Sequence, residues 1–236
     1  MPSELRKKLL KEGIVLHKEV LVKELFDCQT HYLQNWFNSF VYPWEMLPDI
    51  KQYVQTLLTE GIAGYTKLAD DVLVGENVTI YPTAVIEGPT IIGSGTVVRP
   101  GAFIRGNVIT GENCVIGNST ELKNCVLLNK AQVPHYNYVG DSILGNGAHL
   151  GAGTVCSNLK ADQKPVVVRG DQDYETGLRK VGAFVADGAD VGCGCVLNPG
   201  TVIGRETSVY PLTALRGVFP GGCIVKDKNL VVVRKK

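Results

Sequence analysis

The stretch Val74-Gly-Glu-Asn-Val-Thr-Ile80-Tyr-Pro-Thr-Ala-Val-Ile86-Glu-Gly-Pro-Thr-Ile-Ile92-Gly-Ser-Gly-Thr-Val-Val98 decides the fold. An aliphatic residue stands at every sixth position, and the series continues through Ile104, Thr110, Ile116, Leu122 and Leu128, with Thr110 its one polar member. A helix needs apolar residues three and four apart and a lone strand needs alternation, so neither period fits. A six-residue repeat is the mark of a β-helix, in which three short strands close one triangular coil and the aliphatics stack inside the prism. Gly75, Gly93 and Gly117 follow members of the series and suggest tight corners with positive φ.

Working outward, the period resumes at Val185, Val191, Leu197, Ile203, Val209 and Leu215, and residues 230–233 read as a last strand. Between the two ladders the spacing slips. Leu128 is in step, but the next apolar positions are Val133, Val139, Leu144 and Leu150, so two steps are short. The slipped part carries Lys130-Ala-Gln-Val-Pro-His135-Tyr-Asn-Tyr138, the most polar and aromatic segment of the repeat, and such irregularity tends to accompany function. Residues 169–180 interrupt the repeat and read as a projecting loop.

Residues 1–67 lack the period. Leu5, Leu9 and Leu10, then residues 20–25, suggest short apolar elements. Asp27 is placed to cap a helix through Leu33, Trp36, Phe37 and Phe40. A second helix is expected over 49–60, with Ile50, Val54, Leu57 and Leu58 on one stripe and Gly61 as its stop. This aromatic-rich segment is expected to cover the open end of the prism, or to offer a substrate or partner surface. The chain divides into a small, mainly helical cap segment (1–67) and a β-helix domain (68–236).

Composition narrows the partners. A net charge of +1 over 236 residues gives no basic field for nucleic acid. No apolar run reaches the ~20 residues of a membrane helix, and the basic start lacks the pattern of a secretory signal, so a cytoplasmic protein is expected. Seven cysteines, an odd number in a long chain, read as reduced thiols. Cys193-Gly-Cys195 invites a metal or redox role, but small side chains in the rows of a β-helix explain the pair more simply.

The repeat resembles the hexapeptide-repeat acyltransferases, and more closely their sugar N-acetyltransferase members. The run Glu121-Leu-Lys123-Asn124, the block His135-Tyr-Asn-Tyr138-Val-Gly-Asp141, and Leu150-Gly-Ala-Gly-Thr154-Val-Cys-Ser-Asn158 are similar to the acetyltransferase domain of the bifunctional enzyme that makes UDP-N-acetylglucosamine from glucosamine 1-phosphate. The likeness covers about residues 70–230. It implies an all-β fold, a left-handed parallel β-helix, assembled as a homotrimer with sites between subunits. It implies an N-acetyltransferase that uses acetyl-CoA as co-substrate, with no metal, on an amino-sugar phosphate or nucleotide-linked amino sugar. Position by position, Arg105 and Lys123 match the residues that hold the sugar phosphate and His135 the general base. Tyr138 matches a tyrosine beside the sugar, Asn158 an amide near it, and Lys164 a basic residue given by a neighbouring subunit. Cys193 and Pro211 are assigned to acetyl-CoA. The basic tail 234–236 reads, from its charge, as a solvated end or as an electrostatic hold on the coenzyme's phosphates.

Three departures stand out. His149 occupies a substrate-facing position where the family usually has Asn. Residues 1–67, ahead of the ladder, do not read as a uridylyltransferase half, with no Gly-rich nucleotide-binding loop among them. The 169–180 loop looks instead like that of related sugar-nucleotide enzymes, where it borders the acyl-carrier groove. Histidine suits a base at neutral pH, and backbone N–H groups suit the oxyanion. No Ser-His-Asp or Cys-His set is evident, so direct transfer is expected. Two rivals remain: a non-catalytic sugar-nucleotide-binding or scaffold β-helix, and a zinc enzyme of the β-helix carbonic anhydrase kind, for which the histidines are too few.

Overall fold

The computed structural model describes residues 20–227 and 229–233. The expectations for Leu5, Leu9, Leu10 and the tail 234–236 lie outside these residues. From residue 72 onward the chain winds as a parallel β-helix of two- to seven-residue strands. The fold class read from the period is the class observed. Ile92, Ile104, Ile116, Leu122, Val133, Val139, Leu144, Leu150, Val185 and Val191 all lie in one continuous core with no exposed surface. Thr110 keeps the inward place. It pairs in register with Leu127, is fully buried, and its hydroxyl accepts the Gly93 N–H at 2.9 Å. The polar side chain is thus satisfied by the backbone of the coil below.

Leu127, and not Leu128, is the next member of the ladder: it pairs with Thr110 and Leu144. The short steps are therefore from Leu122 to Leu127 and from Val139 to Leu144. Each lies in a seven-residue strand, Glu121–Leu127 and Tyr138–Leu144, that runs round a corner of the prism in one piece. Asn124 and Asp141 turn these corners at φ 49° and 48°. One residue in the left-handed region makes a tighter corner than the usual turn, which is what shortens the coil. Leu128 is buried too, but on the outside of the prism.

The corner glycines differ from expectation. Gly75, Gly93 and Gly117 are not left-handed; positive φ falls two residues later, at Asn77 and Gly95. Gly93 is required by close stacking of coils, because a Cβ there would lie 2.1 Å from the Gly111 carbonyl oxygen.

The segment before the β-helix does not close its end. Successive strands align Leu73, Ile91, Ile109, Val126, Ile143, Phe184 and Val202 in one outward row along a single flank. Residues 20–62 lie over that row and bury it with Leu33, Phe37, Trp44, Met46, Ile50 and Val54. The segment holds α1 (Val22–Leu25), α2 (Gln34–Asn38), a 3-10 turn (Pro43–Met46) and α3 (Ile50–Glu60). Helix α3 is the one expected, with Ile50, Val54 and Leu57 buried and Gly61 at φ 78°. The helix expected from Asp27 shrinks to α2, which starts at the Leu33 N-cap. Asp27 instead gives its backbone N–H to Asp187 at 2.8 Å, fastening the segment to a distant coil. The expected domain border falls inside a strand, Thr66–Ala69, which pairs antiparallel with Val72–Val74.

At the far end Leu230–Val233 folds back antiparallel on Cys223–Asp227, as the last strand expected. The interruption is an arm, residues 157–182, inserted between Cys156 and its register partner Leu197. Its hairpin, Val167–Arg169 with Asp173–Glu175, does not simply project. Val166, Val168 and Val181 are fully buried, and Tyr174 packs against Tyr42 and Trp44 of the leading segment.

Candidate active site

The shortened coils build the site. Their corner gathers Lys123, Asn124, Asp141, Tyr138 and Asn158. Asp141 is the hub: its side chain is 6% exposed and faces Lys123 Nζ at 3.3 Å. Asn124 Nδ2 donates to it at 2.9 Å, and Asn158 Nδ2 donates to its other oxygen. Burying a carboxylate is costly unless it is paired, and here one cation and two amides share it. Asn158 also donates to the Tyr138 hydroxyl at 3.1 Å. Burial raises the pKa of the Tyr138 phenol, and the Asp141 and Glu121 carboxylates push the same way, so it stays a neutral hydroxyl. Gly140 keeps space under that ring: a Cβ there would sit 2.5 Å from the hydroxyl oxygen. The last two residues of the His135–Asp141 block thus have physical roles, and Asp141 joins the candidate site although the sequence alone assigned it no role. Its signal was present in the sequence as an acidic residue at the end of the same block.

Arg105 and Lys123 share a flank one coil apart, because Phe103 and Ile104 pair in register with Glu121 and Leu122. They are not an isolated pair of repelling cations. Arg105 Nη1 lies 2.6 Å from Glu121 Oε1, and that carboxylate raises the guanidinium's pKa. Each cation therefore has its own protein carboxylate, and both pairs retain exposed surface. A ligand phosphate would share these cations with the carboxylates. Asn124 Nδ2 also donates to the Leu47 carbonyl at 3.1 Å, so the leading segment borders the same corner, while the arm departs beside Asn158.

His135 occupies a different corner, at the end of Gln132–His135. Its backbone is held on both sides: its N–H donates to Asn137 Oδ1 at 3.1 Å and its carbonyl accepts from Gly153 at 3.0 Å. Asn137 is 2% exposed and also donates to the Gly151 carbonyl at 2.8 Å, locking this turn. The residue itself is exposed, and its imidazole makes no hydrogen bond among the described residues. Continuing the register upward, Ala152, Cys193 and Pro211 stand above His135 on one edge. Gly194 donates to the Ala152 carbonyl and Leu212 to that of Cys193, each at 2.8 Å. The two positions assigned to acetyl-CoA and the expected base thus share an edge. Cys193 is exposed and Cys195 buried, so the pair faces opposite ways, one thiol outward and one in the core.

His149 and Lys164 lie elsewhere. His149 is on the adjoining flank, where its Nδ1 meets Asp190 Oδ1 at 2.7 Å. Lys164 is exposed in the arm, its backbone N–H given to Asp162 at 3.1 Å. No described hydrogen bond or ion pair joins either of them, or His135, to the Lys123 corner. Among the described residues no three His, Cys, Asp or Glu side chains form a metal-binding group, and no described helix is long and apolar enough to cross a membrane.

Comparison with known proteins places this geometry. The family model described as the GMPPB C-terminal domain matches residues 86–172. An uncharacterized acetyltransferase, YaiX of Escherichia coli, is 35% identical over 164 residues, covering 69% of this chain and 71% of its own. The chain belongs to the hexapeptide-repeat acyltransferases. The bifunctional protein GlmU of Methanococcus maripaludis is 30% identical over 208 residues, 86% of this chain and 51% of that protein. The chain thus spans about half the length of the bifunctional relatives it matches. A hexapeptide transferase family protein of Anaplasma phagocytophilum superposes with a TM-score of 0.45 at 15% identity, covering 71% of this chain and 87% of that one.

Proposed function

We propose that this hexapeptide-repeat acyltransferase moves the acetyl group of acetyl-CoA directly to the amine of an amino-sugar phosphate or nucleotide-linked amino sugar. The observation that carries the reading is the Asp141 hub. It fixes Lys123, Asn158 and, through Asn158, the Tyr138 hydroxyl around one corner, with Arg105 on the same flank. Two cations and a neutral phenol suit a sugar phosphate, with the cations converting phosphate affinity into orientation. His135 is the proton acceptor at the point of transfer, exposed on the edge it shares with Cys193 and Pro211. Acetyl-CoA lies along that edge.

The active form is a homotrimer. One flank of each prism is occupied by its own leading segment, which leaves two flanks for neighbours. A flat flank offers no concavity, and packing prisms side by side makes one. Lys164, remote from the Lys123 corner by any described contact, reaches a neighbour's site.

Acetyl-CoA consumption over a panel of amino sugars, their 1-phosphates and their nucleotide conjugates tests the reading. Turnover confined to phosphorylated or nucleotide-linked amines is expected. Binding of such sugars without thioester consumption would instead fit the scaffold alternative. Light scattering is expected to give a trimer, and refolded mixtures of the His135→Ala and Lys164→Ala proteins are expected to regain activity. A fully active monomer rules out the shared site.

A further inference from the structure

Acetylation of a protonated amine takes two protons from its nitrogen. The C–N bond forms and the C–S bond breaks. One proton ends on the departing coenzyme A thiol and the other in solvent. One imidazole serves one of these transfers at a time.

The described β-helix holds a second imidazole, better prepared than the first. His149 begins the strand His149–Leu150 and pairs in register with Asp190 of the next coil. The two coils are neighbours only because the 157–182 arm is looped out between them, so residues 41 apart in sequence come into contact. The Nδ1–Oδ1 distance of 2.7 Å makes Nδ1 the protonated nitrogen, donating to the carboxylate. In the neutral imidazole Nε2 then keeps its lone pair, the tautomer a proton acceptor needs, and Asp190 stabilises the imidazolium once formed. The His149 side chain is 39% exposed, so Nε2 has access from outside the prism. Leu150, the next residue, is fully buried, which fixes His149 on the outer face. Because Gln132 pairs with His149, the two histidines sit on adjacent coils offset by three residues. Strand rise and coil spacing put their Cα atoms about 11 Å apart. Side chains of imidazole length can converge on one acceptor amine from that separation.

We propose that His149, oriented by Asp190, takes the first proton from the acceptor's ammonium and releases it to solvent, while His135 passes the second to the thiolate. This rests on the acetyltransferase reading above. It makes His149 a catalytic residue and Asp190 a positioning residue.

The test is kcat against pH for the wild-type, His149→Ala, His149→Gln, Asp190→Asn and His135→Ala proteins on one accepted amino sugar. Loss of the first acceptor matters only while the substrate is an ammonium. His149→Ala and His149→Gln should each lose ~10²-fold at neutral pH and recover most of it above the substrate's own ammonium pKa. Asp190→Asn should show the same recovery from a smaller loss of ~10-fold, with KM for acetyl-CoA unchanged. His135→Ala should stay slow throughout. Long-range ¹H–¹⁵N NMR should show the Nδ1–H tautomer of His149 in the wild type and its loss in Asp190→Asn. Wild-type rates in both His149 variants, or a loss that does not change with pH, overturn the proposal and leave the acetyltransferase reading standing. A wild-type protein that acetylates no amine overturns that reading, and this proposal with it.

Discussion

Two flanks of the same prism have the same backbone and opposite fates. On one, each coil points a large aliphatic or aromatic residue outward, from Leu73 through Ile109 and Phe184 to Val202, and the leading segment buries the whole row. On another, the outward row is Val85, Phe103, Glu121, Tyr138, Val155, Val196 and Ala214. Val85 stays 52% exposed there, and the middle of the row is polar. The inward ladder is indifferent to this choice. One side chain per coil decides whether a flank becomes internal packing or remains surface on which chemistry can be built.

The buried flank is the more sensitive of the two to mutation. Ile109→Asp puts an unpaired charge beneath the leading segment, and the protein should be expressed unfolded or aggregated. The milder Ile109→Ala should cost ~2–5 kcal/mol in denaturant unfolding. A loss below 1 kcal/mol there would mean that the segment does not depend on the row. Next in size, His135→Ala should lower kcat by ~10²–10⁴-fold while acetyl-CoA binding, read by calorimetry, persists. Near-normal turnover would remove His135 from the chemistry. Lys123→Ala should raise the acceptor KM by ~10-fold or more and leave that of acetyl-CoA alone, as expected for one charge-assisted contact to a phosphate. Equal acetylation of an amino sugar with and without its phosphate would refute that role. Smallest of all, Val85→Ser, in the first coil of the second flank and outside its polar middle, should shift stability by no more than ~0.5 kcal/mol. A large loss there would show that the trimer interface reaches down to Val85.

The inward ladder was legible because burial inside a prism enforces a strict period of six. The outward row was not, because Ile91-Ile92 and Val126-Leu127 place two apolar residues side by side. Only one of each pair serves the ladder, and the other looks like excess. The adjacent Leu127 and Leu128 hid the slip for the same reason: both are buried, on opposite sides of the wall. The residues of the polar corner were legible through the family motif, but their mutual contacts depend on the 17-residue coil that the slip creates. The pairing of His149 with Asp190 was hidden behind the arm, since no sequence rule says which residues meet across an insertion.

The fastening of residues 20–62 along the flank has a consequence for how the molecule comes apart. A stack of coils is coupled only between nearest neighbours, so it melts inward from its ends like a one-dimensional chain. Here a single covalent segment touches the row from Leu73 to Val202 and is pinned at Asp187 by the Asp27 N–H, near Arg205, which donates to the Glu24 carbonyl at 2.8 Å. It acts as a splint that makes distant coils partners in one transition. Amide exchange should therefore show these coils opening together, with fraying confined to the strands that the splint does not reach.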